Sequence, residues 1–229
     1  MKTSVLVTDF TGVYAEEGFL HALREKGFPV EIVSLGDIEG TNCYCDAAAV
    51  EEIRRRLVGK DGMKVHWIDS GDYHYMTKLF CDRIEGPFLL VLLDNHPDDQ
   101  RPEFGGILSC GGWVLELPEA VTVVTIGPAG CRVPQEALLE ALAGERRVYV
   151  SLDKDILSRN EARTDWDQGS FTLREVEDIL ETVFLSGAEV LGVDICGELA
   201  TSKGATPEDQ AVNLKTDIEL QRFINHYIK

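Results

Sequence analysis

The sequence predicts a three-layer α/β/α sandwich, in which a mainly parallel sheet carries helices on both faces. Three observations predict it. Short β-branched runs alternate with helical patterns along the 229 residues, the order of β-α units that builds parallel sheets. Several runs are continuously apolar, Phe88-Leu89-Leu90-Val91-Leu92-Leu93 above all, and a strand of that kind is buried on both faces. With 44% hydrophobic residues and 8 prolines, the chain has apolar material for a sizeable core. No repeat, low-complexity tract or linker divides it, so residues 1–229 read as a single domain.

The elements follow in order. Met1-Lys2-Thr3-Ser4 runs straight into Val5-Leu6-Val7, too short an apolar stretch for a secretory signal, so 4–8 is the first strand. A helix over 15–26 places Phe19, Leu20 and Leu23 on one face. Strand Val30–Ser34 leads to a helix over 46–58 with Val50, Ile53 and Leu57 aligned. Strands 64–69 and Phe88–Leu93 come next. The longest irregular stretch, 99–113, follows, and loops of that length in compact domains are often functional. Strand Val121–Ile126 precedes a helix over 134–143 that opens with proline, which suits a first turn. Strand 147–152 is followed by Thr172-Leu173-Arg174-Glu175, a capping box that opens a helix over 172–186. After strand 189–193, Thr206-Pro207-Glu208 starts the last helix, which runs towards Tyr227.

The formal net charge of −18 repels a phosphate backbone, which argues against nucleic acid as a partner. No apolar run reaches the ~18–20 residues of a membrane span, and the expected compartment is the cytoplasm. The cysteines at 43, 45, 81, 110, 131 and 196 form no Cys-x-x-Cys pair, which leaves no zinc ribbon or thioredoxin-like motif. Cys43-Tyr44-Cys45 reads as two reduced thiols in a turn, with a metal clip as the sharper alternative.

Three segments carry the chemistry, each at the carboxyl end of a predicted strand: Ser70-Gly71-Asp72-Tyr73-His74, Asp94-Asn95-His96-Pro97-Asp98 and Asp153-Lys154-Asp155. Ligands collect outside the carboxyl ends of strands in an open α/β sheet, so side chains from all three can converge there. Asp94, His96 and Asp98 alternate, and extended backbone points alternate residues the same way. Unpaired charge at the end of an interior strand is costly, and a bound cation offsets it. Taken alone, Asp153 and Asp155 suit a helix cap and His74 a helix start; together they point to a metal site. Four carboxylates and two imidazoles favour Mn²⁺, with Fe²⁺, Co²⁺ or Zn²⁺ as substitutes, over an all-thiolate or all-oxygen site. Four carboxylates neutralise two divalent ions, and two ions roughly 3.5 Å apart can share one hydroxide. One ion held by a subset is the alternative.

These segments resemble the motifs of the ureohydrolases: arginase, agmatinase and formimidoylglutamase. Ser70-Gly71-Asp72-Tyr73-His74 is similar to their Gly-Gly-Asp-His with one residue inserted. Asp94-Asn95-His96-Pro97-Asp98 is similar to Asp-Ala-His-x-Asp, and Ser151-Leu152-Asp153-Lys154-Asp155 to Ser-x-Asp-x-Asp. Gly169-Ser170-Phe171-Thr172 resembles the family's Gly-Gly-Leu-Thr helix entry. The resemblance implies that His74 and Asp98 complete one metal's shell, that His96 and Asp155 complete the other's, and that Asp94 and Asp153 bridge. It further implies that Asp98 accepts a hydrogen bond from a metal-bridging hydroxide, which attacks a trigonal guanidinium or amide carbon.

The chain departs from the family in its substrate loops. Ser158-Arg159 stands where a further Asp-Pro is usual. The guanidinium-binding Glu of a strand-end Asp-x-x-Glu corresponds to Glu198, one residue late in Asp194-Ile195-Cys196-Gly197-Glu198. Leu108-Ser109-Cys110-Gly111-Gly112-Trp113 replaces the arginase loop that holds a proton-shuttling histidine, and Pro128-Ala129-Gly130 replaces acidic contacts to the substrate's amino group. Cys110 is a candidate proton donor or substrate contact, set against a small buried thiol in a turn. Trp113 suits the core or a pocket wall, and the segment Asp9-Phe10-Thr11-Gly12-Val13-Tyr14 either lines the site or enters a helix.

The expected function is a binuclear metal hydrolase cleaving a C–N bond of a small guanidino, amidino or amide substrate, with Asp98, Glu198 and Cys110 as candidate catalytic residues. A protein of the same fold that binds metal or metabolite without turnover is the second reading. A phosphotransfer enzyme built on Asp153-Lys154-Asp155 is the third, weakened because that motif would follow the first strand. The resemblance also allows a homo-oligomer.

Overall fold

A computed structural model describes residues 2–101, 106–127 and 135–228. In chain order its elements are β1 (Val5–Asp9), α1 (Val13–Glu16), α2 (Phe19–Glu25), β2 (Val30–Ser34), β3 (Tyr44–Cys45), α3 (Ala47–Arg56), β4 (Val65–Trp67), α4 (Met76–Cys81), β5 (Phe88–Leu93), β6 (Leu108–Ser109), β7 (Val121–Ile126), α5 (Gln135–Leu142), β8 (Arg147–Asp153), α6 (Leu173–Phe184), β9 (Glu189–Cys196) and α7 (Pro207–Tyr227).

Seven strands form one sheet in the order β2-β1-β4-β9-β8-β5-β7, and every pairing in it is parallel. The apolar run of β5 shows why both faces are covered. Leu89, Val91 and Leu93 enter one core with residues of α2, α5, α6 and α7, while Phe88, Leu90 and Leu92 enter the other with residues of α3 and α4. A period-2 strand whose alternate residues are all apolar needs two helical layers, and these supply them.

Helix entries follow the caps in the sequence. The Asp46 carboxylate accepts from the Ala49 N–H, and Thr172 and Thr206 each close a capping box, with Glu175 and Asp209 respectively. The structure differs from expectation in two places. The helix expected over 15–26 is split into α1 and α2 at Gly18, whose φ of 86 lies in the left-handed region. Residues 43–45 do not form a simple turn: β3 pairs antiparallel with β6 from the long loop, and two-residue strands carry no periodic signal. The helix expected over 134–143 is described from Gln135; Pro134 lies outside the described residues.

The strand order places β4, β9, β8 and β5 side by side in mid-sheet, so the three motifs leave the same edge within neighbouring strands. Among the described residues, no helix is long and apolar enough to cross a membrane.

Candidate metal centre

Strand parity assembles the site. Tyr149 and Cys196 belong to the core beneath α3 and α4, as do Leu90 and Leu92. Continuing by twos along β8 and β5 puts Ser151, Asp153 and Asp94 on that same face. Asp94 still donates its N–H to the Ile126 carbonyl at 3.0 Å, so the ladder holds it beyond the end of β5.

His74 arrives from the helical layer. A 3-10 turn over Gly71–Tyr73 leads into His74, with Tyr73 stacked on Phe10 at 3.9 Å. Asp72 turns from the centre towards Asn42, Cys43, Trp166 and Lys203. Gly71 is needed for close approach: a Cβ there would lie 2.9 Å from Trp166 Cδ1 and 3.2 Å from Asp153 Oδ2.

The Nδ1 atom of His74 lies 2.9 Å from Asp98 Oδ2, 3.2 Å from Asp94 Oδ2 and 3.5 Å from Asp153 Oδ2. Its Nε2 lies 2.9 Å from Ser151 Oγ. The Ser151 hydroxyl in turn donates to Asp194 Oδ1 at 2.7 Å, and Thr77 donates to the same oxygen at 3.1 Å. A metal on Nδ1 requires the proton on Nε2, and Ser151 accepts it; such outer partners fix ring orientation and tautomer.

On the other side, His96 Nδ1 lies 2.7 Å from Asp155 Oδ2 and 3.7 Å from Asp94 Oδ1. Asp155 is aimed by the Asn95 N–H at 3.0 Å, and its own N–H holds Asp153 Oδ1 at 2.9 Å. Asp98 adopts a φ of 47, a left-handed conformation that costs a non-glycine residue strain. Trp113, fully buried, donates Nε1–H to Asp98 Oδ2 at 2.6 Å. The indole thus packs in the core and positions a candidate ligand.

Two donor groups emerge, His74 with Asp94 and Asp98, and Asp94 with His96 and Asp155, each with its ligand atoms within 4.8 Å of one another. Asp94 is common to both. Asp153 belongs to a third group, with His74 and Cys196, and accepts from the Cys196 thiol at 3.1 Å.

The electrostatics fit divalent cations. Burial pushes Asp153 and Asp155 above the usual carboxylate range, and neighbouring carboxylates push further. Burial likewise lifts Asp98 to about 6. Asp94 falls to about 2, because hydrogen bonds from His74 and His96 outweigh its burial. His96 rises to about 10 through hydrogen bonds to Asp155 and Asp94. Burial opposes charge on His74, yet Cys196, Asp94 and Asp98 hold its value well above the ordinary one. These are the shifts of carboxylates crowded in a buried site, where a metal cation would supply the missing positive charge.

These groups floor a cavity of about 390 Å³. Its walls include Tyr44, Gln100, Arg101, Ser109, Cys110 and Trp166. Cys110 therefore lies in the pocket, where burial pushes its thiol well above the ordinary range.

Glu198 is a correction. It does not line the pocket and is no surface carboxylate: it is fully buried, paired with Lys154 and accepting from Asn213 Nδ2 at 2.9 Å. The left-handed Gly197, φ 94, turns the chain away from the cavity before it. Lys154 also contacts Asp217 at 2.6 Å, so it faces away from the pocket and supplies no cation to a phosphotransfer site. Asp9-Phe10-Thr11-Gly12 packs on Asp69, which accepts from the Phe10 and Thr11 N–H groups, rather than lining the cavity. Pro128-Ala129-Gly130 lies outside the described residues. Sequence reasoning gave no supporting role to Ser151, Asp194 or Thr77; the i, i+2 spacing of Ser151 and Asp153 was the available signal.

No protein-family profile matches the chain. It is 33% identical over 205 residues to an uncharacterized protein of Thermotoga maritima, covering 84% of this chain and 78% of that one. Among solved structures, formimidoylglutamase from Bacillus subtilis superposes with a TM-score of 0.69 at 14% identity, over 100% of this chain and 88% of the other. Arginase from Bacillus subtilis gives 0.65 at 14%, over 97% and 98%. Proclavaminate amidino hydrolase from Streptomyces clavuligerus gives 0.64 at 18%, over 99% and 92%.

Proposed function

We propose that this chain, which belongs to one family with the Thermotoga maritima protein and has the ureohydrolase fold, is a binuclear metal hydrolase acting on a C–N bond of a small guanidino, amidino or amide compound. The observation that carries the reading is Asp94: one carboxylate shared by two donor groups, each completed by a histidine and a second aspartate. His74 and Asp98 would hold one ion, His96 and Asp155 the other, with Asp94 and Asp153 between them. Mn²⁺ suits the mixture of oxygen and imidazole donors. Bound there, divalent ions supply Lewis acidity that makes water a competent nucleophile near neutral pH.

The chain's own groups do the rest. Asp98, held by Trp113 and His74, is placed to accept a proton from the attacking water. Cys110, a neutral thiol in the pocket wall, is a candidate donor to the leaving nitrogen or a substrate contact. Arginine is a poor candidate substrate, because the carboxylate that would read its guanidinium is locked to Lys154 and Asn213. A non-catalytic, metal-binding role on the same fold is the second reading, favoured by that displaced Glu198.

Screening Mn²⁺-loaded protein against guanidino, amidino and amide compounds for release of urea or ammonia tests the proposal. We expect turnover of a compound other than arginine. Arginine cleavage with kcat/KM of about 10⁴ M⁻¹s⁻¹ or more, the ordinary enzyme range, would overturn the specificity argument. Stoichiometric metal without turnover of any compound would favour the second reading.

A further inference from the structure

We propose that Cys43 and Cys110 form a redox-active pair at the mouth of the pocket, closing into a disulfide that ties β3 to β6 across the entrance. The argument starts from register. Tyr44 pairs with Ser109 and Cys45 with Leu108, antiparallel. One step outward Cys43 stands opposite Cys110, and the Cys110 N–H donates to the Cys43 carbonyl at 2.9 Å. That single backbone hydrogen bond of 2.9 Å holds the two Cα atoms within about 7 Å of each other, next to the roughly 4.4–6.8 Å that a disulfide spans. Both residues line the same cavity, and both thiols are free.

Two further observations set this pair apart from Cys45. Cys43 adopts a φ of 57, a strained conformation that glycine or asparagine would take more readily, so the turn alone does not explain a cysteine. Cys45 is nearly inaccessible and absent from the cavity wall, whereas Cys43 is half-buried and Cys110, though buried, lines the cavity with it.

The reaction is exchange with a small disulfide of the glutathione class. The Cys43 thiol loses its proton and attacks one sulfur of the small disulfide, whose other half leaves as a thiol. Cys110 then loses its proton and attacks Cys43 Sγ, releasing the second small thiol. Two protein thiols are oxidised and one small disulfide is reduced to two thiols. Burial raises both protein thiols; such thiols attack slowly but are also poor leaving groups, so the closed form persists. Closure removes the Cys43 Sγ contact to Asp72 Oδ1, now 3.2 Å, and narrows the route to the metal-binding residues. None of this depends on turnover.

The test uses the full chain with and without Mn²⁺, incubated with oxidised glutathione, alkylated and mapped by mass spectrometry. We expect an intact mass lower by two hydrogens, a peptide linking Cys43 to Cys110, and reversal by dithiothreitol. Cys110→Ser should halt at glutathione on Cys43, Cys43→Ser should leave Cys110 unmodified, and Cys45→Ser should still close. Closed protein should also release Mn²⁺ to a chelator more slowly than reduced protein. Wild-type protein that stays glutathionylated at Cys43, links Cys43 elsewhere, or remains reduced while an unfolded control oxidises would overturn the proposal.

Discussion

His74 has little freedom. One nitrogen faces three carboxylates, and the other is held by Ser151, itself fixed by Asp194 and Thr77. Removing an outer partner of a metal-binding histidine typically costs roughly 10–100-fold in metal affinity. We therefore expect Ser151→Ala to weaken Mn²⁺ binding by that order while leaving the fold intact, as measured by titration calorimetry. An unchanged affinity would mean that Ser151 does not orient the ring. Asp94 is assigned to both ions, so Asp94→Asn should abolish binding of both, whereas His74→Ala should mainly lose one; elemental analysis of reconstituted protein distinguishes the two. Full stoichiometry in Asp94→Asn would sink the shared-ligand assignment.

At the scale of elements, the ends of β8 and β9 act together. Their register places Ser151 beside Asp194 and Asp153 beside Cys196, which explains the side-chain bonds between the strands. The turn after β9 depends on Gly197. Its φ is 94, and a Cβ there would lie 2.4 Å from Asp153 Oδ1 and 2.8 Å from the Lys154 N. Gly197→Ala should displace Asp153 and cost about 1–3 kcal/mol in backbone strain, together with reduced metal stoichiometry. Denaturant unfolding and metal analysis of the same preparation check both effects; wild-type values for each would show that the turn can relax without moving Asp153.

Across the whole molecule, negative charge is compensated at two buried places by different means. In one, the Lys154 ammonium is shared between Glu198 and Asp217, all three fully buried, and burial pushes both carboxyls above their usual range. Removing one partner of such a group costs about 3–5 kcal/mol, so Lys154→Met should lower the denaturation midpoint markedly, and an unchanged midpoint would show that these carboxyls are neutral in the fold. In the other, the proposed metal centre, a proton stands in for a cation. His96 is raised to about 10 by its hydrogen bonds to Asp155 and Asp94, so it carries a proton at neutral pH in the metal-free protein, and His74 is shifted in the same direction. Metal binding must release that proton, and affinity therefore rises with pH and falls on acidification. Calorimetry in buffers of different ionisation enthalpy should reveal net proton release near pH 7; proton uptake would contradict the assignment.

Local chemistry was enough to read the layered fold and to expect the strand-end motifs to converge. Continuous apolar strands require cover on two faces, and Asp94, His96, Asp98, Asp153 and Asp155 follow strand ends that open on one edge of the sheet. The capping boxes at Thr172 and Thr206 were legible for the same reason, since a cap is a contact within four residues. What only the tertiary structure decided depends on partners distant in sequence. Glu198 looked free for substrate because its counter-ion, Lys154, lies 44 residues away and points out of the motif that contains it. The Cys43–Cys110 pairing rests on a two-residue ladder too short to impose a pattern on the sequence. Ser151 and Asp194 became a support for His74 only when parallel register set β8 against β9. Periodicity and spacing record which face a residue must take; which distant residue meets it there is fixed by the packing of the whole chain.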